Sequence, residues 1–299
     1  MKFKKLSENI HCLAGPFFVF YLVEGRERTA LIELGISQLV PQILHDAAEG
    51  LGGGKPDVLV AMHGHFDHAG SCWRWKNALP AAELCGTKRA ADELSDPDAP
   101  APYLRSMRSA GAAPFFKQLY PLAEDEPVME PVQFDRILGE GDEIDLGGET
   151  LEVVMTPGHS ACSMSLYHSS TKTWFVSDSC GMPLPSGRIW PTAFLDGKLY
   201  IESIRKIARR EAEHICPGHL PPMSGADRNK RFLEKNIEAS EKFFSRIAEL
   251  WEQSGDRDFV LKTINDDFGK DAAPALTFIF KYGNKEMIRQ VIDGVQGRG

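Results

Sequence analysis

The chain has 299 residues, a formal net charge of −8 at pH 7 and an apolar content of 42%. A chain of this length and composition can bury a large core, so it needs no disulfide or structural metal to fold. The negative charge and the lack of a dense Lys/Arg stripe disfavour a nucleic-acid partner.

Targeting and membrane signals are weak along the whole chain. The longest apolar run, residues 17–23, spans about 23 Å as a strand and is too short for a membrane-crossing helix. The basic N-terminus turns polar at residues 7–9, so the apolar part of a secretory signal is missing. Six cysteines at irregular spacings, without a CxxC pair, fit reduced thiols. We expect a cytoplasmic protein with no membrane partner and a small-molecule substrate, and the sequence leaves a homodimer open.

Apolar runs and turn residues predict a mixture of strands and helices. The predicted strands lie near residues 8–13, 17–23, 29–34, 57–62 and 82–85, and a pair turned at Gly147-Gly148 lies between Ile137 and Met155. The predicted helices cover residues 38–49 and 69–79. This mixture indicates an α+β protein with two packed sheets flanked by helices.

A dense cluster of metal-ligand side chains follows the buried strand predicted over residues 57–62. The run His63-Gly-His65-Phe-Asp67-His68 contains three imidazoles and a carboxylate within six residues. Side chains that leave a loop beyond a rigid strand can converge on one point, whereas residues within a strand alternate between faces. His63 and His65 can share one ion, and Asp67 and His68 a second.

Three further ligand-type residues come after other predicted strands. Pro-Gly-His turns place His159 after the run 152–155 and His219 after the run 214–216, because Pro ends the ladder and Gly permits the turn. Between them, the apolar run from Thr173 ends in Asp178. Each feature alone is more typical of an ordinary turn or cap. Their order after the first cluster makes them candidate ligands.

The chain resembles the metallo-β-lactamase superfamily, whose signature is His-x-His-x-Asp-His followed by a distant His, an Asp and a final His. The resemblance covers about residues 1–225 and implies a four-layer αββα sandwich, with residues 226–299 as a C-terminal helical extension. It implies a first metal held by His63, His65 and His159, a second held by Asp67, His68 and His219, and Asp178 bridging both. In one departure, the sequence around Glu33 stands where many relatives carry Asp-Thr-Gly, which puts the usual contact to a ligand in doubt.

Such a centre supports hydrolysis at neutral pH. Two divalent ions roughly 3.5 to 4 Å apart can share a bridging hydroxide, because a metal lowers the pKa of bound water to about 7. The ions can also polarise a carbonyl or phosphoryl oxygen. We expect zinc, while iron or manganese also suits these ligands. We further hypothesise that Asp67 orients the hydroxide and helps to move its proton.

Acyl thioesters are the first choice of substrate, because the complete ligand set resembles hydroxyacylglutathione hydrolases and related thioesterases. Lactones, other carboxylic esters and phosphodiesters are the alternatives. The superfamily's diiron oxidoreductases are a further alternative, which is weakened because they usually carry Glu where this chain has His65. The missing export signal disfavours β-lactam hydrolysis. A regulatory protein that only retains the metal fold is the non-enzymatic alternative.

Several other segments are candidates for control of the substrate. A proline-rich insertion over about residues 96–131 is a candidate lid. An apolar stripe on a long helix recurs at three- and four-residue steps: Leu233, Ile237, Ser240, Phe244, Ile247 and Trp251. Further helices predicted near residues 258–267 and 284–293 could fold over the metal cleft. Trp190 and Phe194 are candidate pocket walls. The cysteines nearest the ligands are interpreted as inert, and four histidines as structural: Cys180, Cys216, His11, His45, His168 and His214.

Overall fold

The computed structural model describes residues 1–98, 129–271 and 277–296. The candidate lid over about residues 96–131 therefore falls almost entirely outside the described residues. Within the part of the chain that is described, no helix is long and apolar enough to cross a membrane.

Two mixed sheets form the centre of the structure. The first has seven strands in chain order: β1 (Lys2–Lys5), β2 (Ile10–Ala14), β3 (Val19–Glu24), β4 (Thr29–Ile32), β5 (Val58–Ala61), β6 (Glu83–Thr87) and β7 (Arg136–Leu138). The others are β8 (Glu143–Asp145), β9 (Thr150–Met155), β10 (Met164–His168), β11 (Thr173–Ser177), β12 (Met182–Pro183), β13 (Ile189–Trp190), β14 (His214–Pro217) and β15 (Met223–Ser224). The second sheet has the order β15-β14-β11-β10-β9-β8, and β12 and β13 form a separate ribbon.

Helices cover the outer faces of both sheets, and one short helix, α2, follows β5 at the edge of the first sheet. In the described part of the chain the helices are α1 (Val40–Gly50), α2 (Phe66–Ala69), α3 (Cys72–Ala78), α4 (Lys88–Ser95), α5 (Gly197–Ala208), α6 (Ala226–Ser254), α7 (Arg257–Gly269) and α8 (Thr277–Val295). Neighbouring strands are parallel from β4 through β7, and β11 is parallel to β14. The other pairs of strands in the two sheets are antiparallel. The predicted helices near 258–267 and 284–293 are present as α7 and α8.

Three apolar layers separate these elements. The alternation along β5 shows how: Val58 and Val60 pack between the sheets with Phe175, while Leu59 packs against the outer helices with Trp75. A continuous apolar strand is typical of a central parallel strand buried on both faces. A third cluster joins the second sheet to α5–α8. The predicted four-layer αββα sandwich with a C-terminal helical region is confirmed, whereas the division into domains at residue 225 stays a prediction.

Two predicted elements differ in their bounds. Ile137 lies in β7 and pairs with Gly86 of the first sheet, so the hairpin turned at Gly147-Gly148 begins only at β8. The helix predicted over 69–79 begins only at Cys72, as α3, and the separate single turn α2 precedes it. The carbonyl of His68 accepts hydrogen bonds from the backbone N–H groups of Leu34 and Gly35, at 3.1 and 3.0 Å, and so cannot continue the helix ladder.

The buried face of α6 is rotated from the predicted stripe. Leu233 and Ile247 are buried as expected, but Phe243 rather than Phe244 faces the core. Asn236 is also buried on this face of the helix, and its Oδ1 accepts a hydrogen bond from the backbone N–H of Gly181 at 2.6 Å. A buried amide with such a partner satisfies its hydrogen-bonding need, so a polar residue can occupy the seam.

Candidate metal centre

The loop after β5 turns its side chains towards one point through the single-turn helix α2. The carbonyl of His65 accepts hydrogen bonds from the N–H groups of His68 and Ala69, at 3.0 and 2.9 Å. Asp67 therefore lies in the first turn, beside His68. β5 therefore fixes the position of the loop, and the single turn of α2 brings the candidate ligands of the loop together.

The first group consists of His63, His65 and His159, whose candidate ligand atoms all lie within 4.8 Å of one another. His65 Nδ1 and His159 Nε2 are 2.9 Å apart. His159 Nδ1 is engaged on the other side by the Thr192 carbonyl, which leaves Nε2 directed at the group. Burial lowers the pKa of His63 and His65, and it lowers the pKa of His159 to about 3. These imidazoles are neutral at pH 7, and a neutral imidazole has a lone pair for a metal.

The second group consists of Asp67, His68 and His219. His68 Nε2 and His219 Nε2 are 3.0 Å apart, and His219 Nδ1 donates to the Phe17 carbonyl at 3.1 Å. Burial acts to lower the pKa of both histidines, but the neighbouring carboxylates together outweigh it. Asp178 and Asp67 raise the pKa of His219 to about 10, and Asp178, Glu33 and Asp67 raise that of His68 well above its usual value. Burial acts to raise the pKa of Asp67, yet the two histidines lower it to about 2. The group therefore holds an ionised carboxylate.

Asp178 lies between the two groups. Its Oδ2 is 3.3 Å from His68 Nε2, 3.4 Å from His159 Nε2 and 3.6 Å from His219 Nε2. The preceding residue, Ser177, has φ of 49°, and the pairing of β11 with β14 shifts register there. This irregular strand end places the carboxylate next to both groups.

The residues present fit divalent cations. Among the described residues, His63 Nε2 is a buried nitrogen without a hydrogen-bond partner. An unpaired buried polar atom is costly, and nitrogen atoms facing each other at 2.9 and 3.0 Å need a proton or a cation between them. Imidazole nitrogen and carboxylate oxygen are ligands of zinc, and also of iron and manganese. All seven predicted ligands come together here, and their role in metal binding stays a prediction.

Glu33 supplies the contact that the sequence left in doubt. Its Oε2 accepts a hydrogen bond from His68 Nδ1 at 2.7 Å, and Glu33 is only 3% exposed. This carboxylate fixes the tautomer of the ring and turns Nε2 towards the centre. Glu33 has φ of 69°. The neighbouring Gly218 makes room, because a Cβ there would lie 2.7 Å from His68 Cε1.

The two Pro-Gly-His turns depend on their glycines for different reasons. Gly158 has φ of 128°, and a Cβ at this position would lie 2.3 Å from the backbone nitrogen of Tyr200. At Gly218 the backbone is not left-handed, and glycine is needed because a larger residue would collide with His68. In both turns the glycine lets the chain approach closely, and the following histidine then enters the site.

A cavity of about 310 Å³ opens over the centre, and five of the seven side chains line it: His65, Asp67, His159, Asp178 and His219. Its apolar walls include the predicted Trp190 and Phe194, and also Phe17, Phe66, Met182, Leu195, Leu220 and Tyr282. Sequence reasoning did not predict Phe17 or Tyr282 as wall residues. Phe17 was interpreted as part of a strand, and a half-buried aromatic residue on a terminal helix gives no local signal of a cavity.

The cysteines near the ligands are buried. Cys180 lines the cavity, and burial raises its thiol pKa to about 12. Cys216 lies between the sheets, and burial also raises its pKa. A buried neutral thiol behaves as a small apolar side chain, in agreement with the prediction. Of the four other histidines, three contact side chains away from the centre: His11 with Glu24, His168 with Glu149 and His214 with Ser224.

Comparisons with known proteins define the class. A model of the metallo-beta-lactamase superfamily matches residues 19–219, and the chain belongs to this superfamily. It is 29% identical over 234 residues to the acyl-coenzyme A thioesterase MBLAC2 of Gallus gallus, covering 73% of this chain and 77% of the relative. It is 28% identical over 259 residues to the protein of that name from Homo sapiens, covering 78% and 86%.

Solved structures share the fold at low identity. An archaeal metallo-beta-lactamase superfamily protein from Sulfolobus tokodaii matches 96% of this chain and 99% of its own, with a TM-score of 0.63 and 19% identity. The stereoselective inverting sec-alkylsulfatase Pisa1 from Pseudomonas sp. matches 99% of this chain and 50% of its own, with a TM-score of 0.68 and 15% identity. The comparisons confirm the predicted class, a metal-dependent hydrolase.

Proposed function

We propose that the protein hydrolyses acyl thioesters with two divalent ions, preferably zinc, held by the seven His and Asp side chains. The observation that carries this proposal is the position of five of those side chains in the wall of an apolar, aromatic-lined cavity. An acyl group would bury its apolar surface there while its carbonyl carbon faces the centre. The relatives named as acyl-coenzyme A thioesterases support the same substrate class.

Bound divalent ions would supply a Lewis acid that polarises the carbonyl and lowers the pKa of water. The chain's own residues then have separate tasks. The histidines and Asp178 set the positions of the ions, and Glu33 holds the His68 ring. Phe194 and Trp190 exclude bulk water from the acyl side of the cavity.

Asp67 is the residue that we assign to the reacting water. It lines the cavity, and its pKa of about 2 keeps it ionised at neutral pH. A carboxylate in this position can accept a hydrogen bond from water and orient its oxygen towards the carbonyl carbon. The oxygen bonds to that carbon, the carbon–sulfur bond breaks, and the thiol leaves with a proton that Asp67 helps to move.

The decisive experiment is metal analysis of the purified protein, together with hydrolysis assays before and after chelation. The panel holds a thioester, a lactone, a carboxylic ester and a phosphodiester. Two zinc ions per chain and chelator-sensitive activity highest on the thioester would support the proposal. Higher activity on the lactone or the phosphodiester would make that compound class, rather than thioesters, the proposed substrate. Two irons without hydrolysis would favour an oxidoreductase, and less than one metal per chain would remove the catalytic proposal.

The role of Asp67 has its own test. Asp67→Ala is expected to lower kcat by about a hundredfold or more, because general acid–base and orienting groups contribute on that scale. Asp266→Asn, on the exposed face of α7, is the matched control. Metal content is measured on both variants, and full activity of Asp67→Ala with both metals bound would contradict the role.

A further inference from the structure

The last helix, α8, forms part of the cavity wall. Tyr282 and Glu286 are one turn apart on this helix, and both line the cavity. The other apolar walls come from the sandwich, including Trp190 at the end of β13 and Phe194 in the segment that follows it. The cavity is therefore closed on one side by a segment beyond the strands that hold the candidate ligands.

Buried polar contacts hold α8 in place. Trp190 Nε1 donates to Asn284 Oδ1 at 2.8 Å, and Asn284 Nδ2 donates to Asn265 Oδ1 of α7 at 2.9 Å. Gln290 Nε2 donates to the Ala193 carbonyl at 2.9 Å. Asn284 is fully buried and both ends of its amide have partners, so a shift of the helix within this apolar layer would break buried hydrogen bonds. These contacts define α8 as a fixed wall.

The backbone of α8 also touches the aromatic walls. A Cβ at Gly283 would lie 2.6 Å from Phe194 Cε1 and 2.7 Å from Trp190 Cζ2, so only glycine permits this approach. The next ring, Tyr282, meets Phe194 edge-on at 6.3 Å between centroids. Phe194 in turn lies 4.9 Å from the ring of His159. One aromatic ring therefore separates Tyr282 from a candidate metal ligand.

We propose that Tyr282 limits how far the acyl group can extend from the reacting carbonyl, so that α8 selects acyl-chain length. This inference rests on the proposed thioesterase function. The acyl chain would run from the metal centre along Phe194 and end against the half-buried Tyr282 ring. Replacing that ring with a small side chain would open apolar space for further methylene groups, while the ligands stay in place.

The test compares Tyr282→Ala, Tyr282→Leu and the ring-retaining control Tyr282→Phe. Each is assayed with a series of straight-chain acyl thioesters from acetyl to palmitoyl. We expect the ratio of kcat/KM for long chains to that for short chains to rise about tenfold in Tyr282→Ala and less in Tyr282→Leu, since small changes in apolar pockets act on that scale. Tyr282→Phe should keep the native profile. If the alanine variant does not fold, Tyr282→Leu still tests the proposal.

A binding measurement separates this inference from the proposed function. Free fatty acids of the same chain lengths are titrated into the native protein and the variants, with tryptophan fluorescence as the readout, because Trp190 lines the cavity. The preferred length should increase in Tyr282→Ala even if no thioester is hydrolysed, in which case only the proposed function fails. Native hydrolysis of thioesters with an unchanged length profile in Tyr282→Ala would overturn the inference alone. Lack of fatty-acid binding by the native protein would also overturn it.

Discussion

Glu33 Oε2 accepts a hydrogen bond from His68 Nδ1 at 2.7 Å, and both side chains are almost completely buried. The pair joins the end of β4 to the helix that carries two candidate ligands. A carboxylate behind a metal-binding histidine raises the basicity of the ring and fixes its orientation. The backbone bonds from Leu34 and Gly35 to the His68 carbonyl hold the same connection.

Glu33→Gln should therefore weaken metal binding by about 10-fold or more, since partners of metal ligands contribute on that scale. The measurement is competition with a chromogenic chelator. Glu24→Gln is the matched control, because Glu24 also pairs with a histidine, His11, but away from the centre. Equal losses of metal affinity in both variants would show that Glu33 has no specific role.

Removal of the metals should lower thermal stability as well as activity. Without cations the facing nitrogen atoms of close pairs, such as His68 and His219, lose the positive charge that bridges them. A ligand at about a hundred times its Kd stabilises a protein by about 2.7 kcal/mol, which corresponds to a fall in Tm on the order of 5 °C on removal. Calorimetry with and without chelator measures this fall, and added zinc should reverse it. His63→Ala should show a smaller fall, and an equal one would contradict this account.

Gly158→Ala should be strongly destabilising and should displace His159. The new Cβ would lie 2.3 Å from the Tyr200 nitrogen, so steric overlap adds to the backbone strain. We expect a loss of about 2 to 4 kcal/mol in the free energy of unfolding, together with weaker metal binding. Gly187→Ala is the control, because Gly187 also has positive φ, 83°, but no atom lies within 4 Å of its Cβ position.

The Gly187→Ala control separates the cost of backbone strain from the cost of steric overlap with Tyr200. Gly187→Ala should cost only about 1 to 2 kcal/mol and leave metal affinity unchanged. Urea unfolding of both variants gives the two free energies. A similar cost in the two variants would mean that the contact with Tyr200 relaxes without penalty.

Asp135 should make stability depend on pH in the acid range. Its Oδ2 accepts hydrogen bonds from Lys76 Nζ and the Leu84 N–H, both at 2.8 Å. Burial acts to raise the pKa of Asp135, but these two bonds outweigh it, so the folded-state pKa is lowered. A lowered carboxyl pKa stabilises the fold above its unfolded value of about 3.9, and this contribution is lost as pH falls through the folded pKa.

Asp135→Asn should therefore be less stable than the native protein at pH 6 by at most about 1 kcal/mol, because the carboxylate is 43% exposed and screened. The difference should shrink towards pH 3. Urea unfolding of metal-free protein at both pH values measures it, with Asp92→Asn on α4 as the exposed control. A difference that grows on acidification would reverse the assigned sign.

Local patterns in the sequence predicted most of the fold. The apolar run at 57–62 and the turn at Gly147-Gly148 identified β5 and the β8–β9 hairpin, since backbone preference and side-chain alternation act over a few residues. The same patterns did not locate the break between α2 and α3. That break depends on Leu34 and Gly35, which meet His68 only after folding.

The sequence by itself also determined which residues could form the centre. Close spacing brings His63, His65, Asp67 and His68 together on one loop, and the order of His159, Asp178 and His219 matches the superfamily signature. Whether Glu33 would support His68 was decided only by the tertiary structure, as was the closure of the cavity by Tyr282. The physical reason is that ligands on one loop are grouped by local geometry. Contacts between distant segments depend on how helices and sheets pack, and short patterns do not report that packing.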